Sequence, residues 1–267
     1  MSLTQILPRE HGTWAMLVVP LAVGWGVARR GGMAPLLLSI GALLFFLAHN
    51  QIMEWCRLGL RAAPEPGALR ATRRRIMALA ALGAIALAPL LLGPRPGLLA
   101  FGVLAVALTA ASAWLVRHRS DRGLPGQVLA AVGLPLGAPA AWYVAGGPVD
   151  RRPLALWLLN ALFFLGAVLY VRLKIEALAN RSRVATAGGR LAFALPTLAL
   201  DAVILVSAWG ALRLGGFSPL ALLAFAPTGG QALAGVARLH RPAVLKRVGL
   251  IATAHSVLFA LLLVWLA

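Results

Sequence analysis

Asn50, Glu54 and Arg57 follow one another at intervals of four and three residues, which on a helix sets an amide, a carboxylate and a guanidinium on one face. Such a group can hold a metal ion through the carboxylate or an oxyanion through the guanidinium fork. The bland alternative is that Glu54 and Arg57 simply pair. Further along, Tyr170, Arg172, Lys174 and Glu176 form a second polar set, with Arg172 and Glu176 again four apart. Aromatic and basic residues at a helix end also serve as interfacial anchors. The chain has seven acidic residues in all, and Glu10, Glu54, Glu176 and Asp201 lie within or at the ends of apolar stretches. A carboxylate in such a place is costly unless it is paired or used. Asp201 is flanked by Leu200 and Ala202, so it must carry a proton, bond across helices or meet a base; His49, His255 and Arg172 are the expected partners.

The histidines are His11, His49, His118, His240 and His255. No two are spaced i, i+4 and the single cysteine, Cys56, is isolated, so neither a histidine–cysteine metal site nor a histidine-ligated haem is expected. His11 and His49 are candidates for lining a cavity and touching a ligand. Glu10, at the start of the first apolar stretch, fits a helix-capping role as well.

These residues are positioned by nine apolar stretches, roughly 14–28, 34–56, 76–92, 97–116, 127–146, 153–173, 190–212, 217–236 and 248–267. Each approaches the ~20 residues that a bilayer crossing requires. The fold class is therefore all-α, a polytopic membrane protein of nine transmembrane helices forming one domain over 1–267. Of the 25 lysines and arginines, all but Arg29, Arg30, Arg95, Arg151, Arg152 and Arg213 fall before the first span or in alternate loops. Basic residues near span ends are held on the cytoplasmic side. The expected topology has the amino terminus inside and the carboxyl terminus outside, in the cell membrane. The first stretch lacks a cleavage-site pattern and is expected to stay as a span.

The net charge of +18 is thus a set of short collars facing anionic headgroups, and membrane lipids rather than nucleic acid are the expected partners. The longest interhelical segment, Arg57 to Arg75, is too short for a soluble domain. Gly133, Pro135, Gly137 and Pro139, and likewise Pro227, Gly229 and Gly230, suit close helix contact and local breaks. Oligomeric state is left open.

Nine spans, the Asn50-Gln51-Ile52-Met53-Glu54 segment, the tyrosine-led segment from Tyr170 to Glu176 and a basic loop carrying Arg117 and Arg119 together resemble the UbiA superfamily of intramembrane prenyltransferases. The opening Pro8-Arg9-Glu10-His11-Gly12-Thr13-Trp14 is similar to YwiC-like membrane proteins. The UbiA resemblance covers nearly the whole chain and implies a bundle around a cytoplasm-facing cavity, where aspartate-rich segments hold Mg²⁺ against an isoprenoid diphosphate. Where that pattern has several aspartates, this chain keeps Glu54 in the first segment and Glu176 in the second, with Lys174 at the position expected for an aspartate. Glu54 and Glu176 are the candidate metal ligands that remain.

Three functions follow. One is a divergent prenyltransferase-type enzyme, with Asn50, Glu54, Glu176 and Asp201 as candidate catalytic groups. Its substrate would be an amphiphile whose anionic head meets His11, His49, Arg57, Arg117, Arg119, Tyr170, Arg172 and Lys174. The second is a non-catalytic binder or carrier of an isoprenoid, quinone or haem. The third is a proton-coupled transporter using Asp201 and the histidines. All three expect the inner ends of spans 2 and 6 to meet around one shared hydrophilic hollow.

Overall fold

The computed structural model of the chain describes residues 11–63, 65–93, 95–241 and 245–267, the side chains of His11 and of residues 245–247 excepted. The regular structure of the described residues is helical throughout. In chain order the helices are α1 (His11–Ala28), α2 (Met33–Gly59), α3 (Pro66–Leu91), α4 (Leu98–Arg117), α5 (Leu124–Gly133), α6 (Gly137–Val144), α7 (Arg152–Ala179), α8 (Ala187–Gly215), α9 (Ala226–Ala237) and α10 (Leu245–Leu266). Short 3₁₀ turns, Leu134–Leu136 and Pro219–Phe225, join α5 to α6 and lead into α9. Among the described residues, eight helical segments are long and apolar enough to cross a bilayer, and α1 is apolar but shorter. The chain is a multi-pass membrane protein.

Local chemistry explains the boundaries. Pro66, Pro125 and Pro153 stand in the first turns of α3, α5 and α7, where the missing N–H leaves no bond unmade. Thr186 caps α8 by accepting the Gly189 amide at 3.1 Å, and Gly216, with φ 63°, ends the same helix in the left-handed conformation. The fifth span is broken where Pro135 tightens it into a 3₁₀ turn. The Val132 carbonyl beside this break accepts from the Trp157 indole of α7 at 2.9 Å, satisfying a backbone group that lipid could not. One sequence expectation is corrected: α3 begins at Pro66, so Arg70, Arg73, Arg74 and Arg75 lie on its first turns and not in a loop.

Three apolar clusters form the interior of the described residues. The first joins α1 to α5, α6, α7, α8, α10 and the second 3₁₀ turn around Phe163, Phe225 and Phe259; the second joins α1 to α2, α3, α4 and α6 around Phe46 and Val144; a smaller third, around Leu173, Val184 and Leu239, joins the ends of α7 and α9 to α8. Helix α1 therefore stitches the two halves. It can do so because Gly24 abuts α6 so closely that a Cβ there would strike the Ala138 carbonyl.

Polar contacts fix which loops share an end. Arg30 Nη1 donates to the Gly146 carbonyl at 2.7 Å and Arg95 Nε to the Val144 carbonyl at 3.3 Å, so the loops after α1, α3 and α6 meet at one end. Arg57 Nη2 reaches Asp121 Oδ2 at 2.8 Å, so the loops after α2 and α4 meet as well. This is the alternation that the spacing of basic residues predicts.

Candidate functional site

Asp201 is the middle residue of α8, and facing it on α7 is Gly166, where a Cβ would sit 3.7 Å from Asp201 Oδ1. The absence of a side chain at Gly166 leaves room beside the carboxylate. That room is part of a cavity of about 50 Å³ lined by α7, α8, the 3₁₀ turn, α9 and α10. At roughly 10–15 Å³ of such space per molecule, it suits a few waters or a small solute and not an isoprenoid chain. Asp201 is the only charged side chain among its described lining residues, and Tyr170, Thr228 and Gln231 supply the remaining polar groups.

The cavity has an aromatic roof and a polar floor. Phe163 and Phe225 line it from above and are locked by Phe259, which stacks on Phe163 at 4.0 Å between centroids and meets Phe225 edge-on at 5.3 Å. On the floor, Tyr170 of α7 and Gln231 of α9 line the cavity together, and Gln231 Oε1 is 2.8 Å from His255 Nδ1 of α10. An amide oxygen only accepts, so the imidazole donates from Nδ1 and its Nε2 is left as an acceptor. The Tyr170 ring reaches this place because Gly235 is bare; a Cβ there would overlap the ring. Thr228 gives its hydroxyl proton to the Phe225 carbonyl at 2.8 Å, at the junction where the 3₁₀ turn becomes α9. A span interrupted beside a polar cavity is the arrangement in which irregular backbone is tolerated at membrane depth.

Asp201 has no hydrogen bond or ion pair with any described residue. The three partners expected from the sequence are all engaged elsewhere, which corrects that expectation. His49 bonds through Nδ1 to Thr109 Oγ1 of α4 at 3.1 Å, His255 bonds Gln231, and Arg172 Nε meets Glu176 Oε1 at 2.6 Å.

The expected hollow between the ends of α2 and α7 is also corrected. No α2 residue lines the cavity, and α2 packs chiefly on α3 and α4 while α7 packs on α8, α5 and α6. Asn50 Nδ2 donates to the Phe46 carbonyl of its own helix at 3.0 Å. Glu54 lies 3.9 Å from Arg57, whose closer partner is Asp121. Arg117, the last residue of α4, and Arg119 just beyond it are exposed. Lys174 is buried, and its Nζ donates to the Gly235 carbonyl at 2.8 Å, with the Arg238 carbonyl at 3.5 Å. It therefore neutralises the negative end of α9 and does not offer its charge to an anion. His11 lies outside the residues whose side chains are described, as does Glu10. Of the sequence candidates, Tyr170 and Asp201 come together at the cavity.

Gln231, Thr228 and Gly166 are cavity residues that the candidate set did not contain. His255 stood out in the sequence only as an expected partner of Asp201, and a glutamine one helix away from a histidine has no sequence spacing to betray the pair. The carboxylates do not fit a magnesium–diphosphate centre. Glu54 and Glu176 sit on helices that do not pack together, each beside an arginine, and among the described residues no three histidine, cysteine or acidic side chains gather to hold a metal ion.

A family model described as YwiC-like protein matches residues 7–142, which reach from the segment before α1 to α6. Among curated proteins, "Uncharacterized protein YwiC" of Bacillus subtilis (strain 168) is 25% identical over 181 residues, covering 66% of this chain and 70% of that protein. No solved structure matches, so the likeness to UbiA enzymes rests on the sequence segments alone. The cavity lies in α7–α10, beyond the family match.

Proposed function

The chain belongs to the YwiC-like protein family, and from that premise we propose that it is a proton-coupled carrier of a small cationic or amine-bearing solute. It would lie in the cell membrane with its amino terminus in the cytoplasm, the orientation that the alternating basic loops favour. The observation that carries the reading is the unpartnered carboxylate of Asp201 beside a cavity in the middle of α8. A carboxylate at that depth stays neutral by holding a proton or is met by a bound cation, and exchange between those two conditions is the elementary step of coupled transport.

The lining supports a cationic occupant over an anionic one. Asp201 supplies the charge, Tyr170, Thr228 and Gln231 supply oxygens, and the faces of Phe163 and Phe225 are attractive to a cation. The arginines first assigned to an anionic head lie away from the lining, which counts against an anion. On this reading the proton leaves Asp201 as the solute cation enters and returns when the solute is released. The His255–Gln231 bond leads from the cavity floor towards α10.

The test uses the purified protein in liposomes. Dicyclohexylcarbodiimide, which attacks protonated carboxyls in apolar surroundings, should modify Asp201 selectively among the seven acidic residues, as read by peptide mass spectrometry. Ammonium or methylammonium should protect it. Either cation should drive proton movement across the vesicle wall, and Asp201→Asn should abolish that movement. Absence of modification at Asp201, together with equal proton movement in the variant, would overturn the proposal.

A further inference from the structure

Arg70, Arg73, Arg74 and Met77 line a surface groove of about 340 Å³ on the first turns of α3. Intervals of three and four place all four on one helical face. Among the described residues none of these three guanidiniums lies within ion-pair distance of a carboxylate. Arg70 makes one long contact, from Nε to the Pro66 carbonyl at 3.4 Å. Three cations on one face repel one another, and no carboxylate among the described residues pairs with them. The opposite side of α3 is held against α2, where Gly83 meets the Phe45 ring.

The same face continues as hydrocarbon. Met77 is 65% exposed and Ile85 is 68% exposed, with Ala81 exposed between them. A cationic cleft below an uncovered apolar stripe has the two-part chemistry of a phospholipid, a phosphate followed by acyl chains. We propose that this groove is a site for an anionic phospholipid, its phosphate held by Arg70, Arg73 and Arg74 and one acyl chain laid along Met77, Ala81 and Ile85. Guanidinium forks match phosphate oxygens bidentately, and clustered arginines at a span end attract anionic headgroups. The site is separate from the Asp201 cavity, so either proposal can fail alone.

The full-length protein in a neutral detergent would be titrated with dioleoylphosphatidylglycerol, dioleoylphosphatidylcholine and inorganic phosphate, and bound lipid counted by native mass spectrometry. Phosphatidylglycerol should bind in preference to phosphatidylcholine and survive excess inorganic phosphate. Arg73→Gln with Arg74→Gln should weaken it about thirtyfold, as expected for two lost headgroup contacts. Arg181→Gln with Arg183→Gln, which removes equal charge from the segment between α7 and α8, should leave it unchanged. Should the first double variant fail to fold, Arg73→Lys with Arg74→Lys retains charge while losing the fork, and a clear weakening is again expected.

Equal phosphatidylglycerol binding in the folded glutamine variant would overturn the proposal, as would equal loss in the Arg181 and Arg183 control. Displacement by inorganic phosphate would overturn the lipid assignment in favour of a free oxyanion. Crosslinking between copies through Met77→Cys, in place of protection by lipid, would assign the face to a second copy of the chain.

Discussion

His255 and Gln231, on α10 and α9, are joined by a 2.8 Å hydrogen bond in which the imidazole Nδ1 donates to the amide Oε1. The same glutamine lines the cavity floor with Tyr170 of α7, so the bond ties α9 to α10 beside a third helix. Within a membrane such bonds contribute modestly, because the unfolded segments also find partners.

A double-mutant cycle with Gln231→Leu and His255→Phe should therefore return a coupling of about 0.6 kcal/mol, read from denaturation in mixed detergent. Zero coupling, with both single variants as stable as the parent, would show that the two side chains do not meet.

Lys174 is assigned to the carboxyl end of α9 by its contacts with the Gly235 and Arg238 carbonyls. Lys174→Met strips those carbonyls of their cationic donor and should cost about 1–3 kcal/mol, seen as a lower midpoint of thermal unfolding. An unaltered midpoint accompanied by loss of an anionic ligand would restore the anion-binding role expected from the sequence.

Gly24 and Gly102 are both helical glycines, yet they should respond oppositely to alanine. A Cβ at Gly24 strikes the Ala138 carbonyl of α6, whereas at Gly102 it meets open space. Gly24→Ala should destabilise by about 1–3 kcal/mol through overpacking at the α1–α6 crossing. Gly102→Ala should be neutral or stabilising by up to about 1 kcal/mol, since alanine is the better helix former. Equal effects would deny the close approach of α1 and α6.

Arg57 and Asp121 tie the end of α2 to the segment after α4 through a contact of 2.8 Å, with the arginine 38% and the aspartate 18% exposed. At that exposure the coupling should be about 0.2–1 kcal/mol and should shrink as salt is added. Exchanging the charges, Arg57→Asp with Asp121→Arg, should recover most of the stability lost in either single variant. If the exchange recovers nothing, Glu54 rather than Asp121 is the partner that matters.

Composition and periodicity carry the membrane character and the nine apolar segments because burial in hydrocarbon is a local demand, met residue by residue along each stretch. The same holds for the alternation of basic loops, which the Arg30–Gly146 and Arg57–Asp121 contacts reproduce. Only the start of α3 escaped, because arginines favour loops by charge but are good helix formers once Pro66 has set the first turn. Asp201 and Tyr170 were legible as polar residues in apolar surroundings. Their neighbours were not: whether Lys174 faces a ligand or a helix end, and whether Arg57 turns to Glu54 or Asp121, depends on which helix lies alongside. That choice is made by small surfaces such as Gly24, Gly166 and Gly235, whose bare backbones decide how closely helices approach. Hydrophobicity, being non-directional, determines that these helices associate; the shapes of their contacting faces determine which side chains meet.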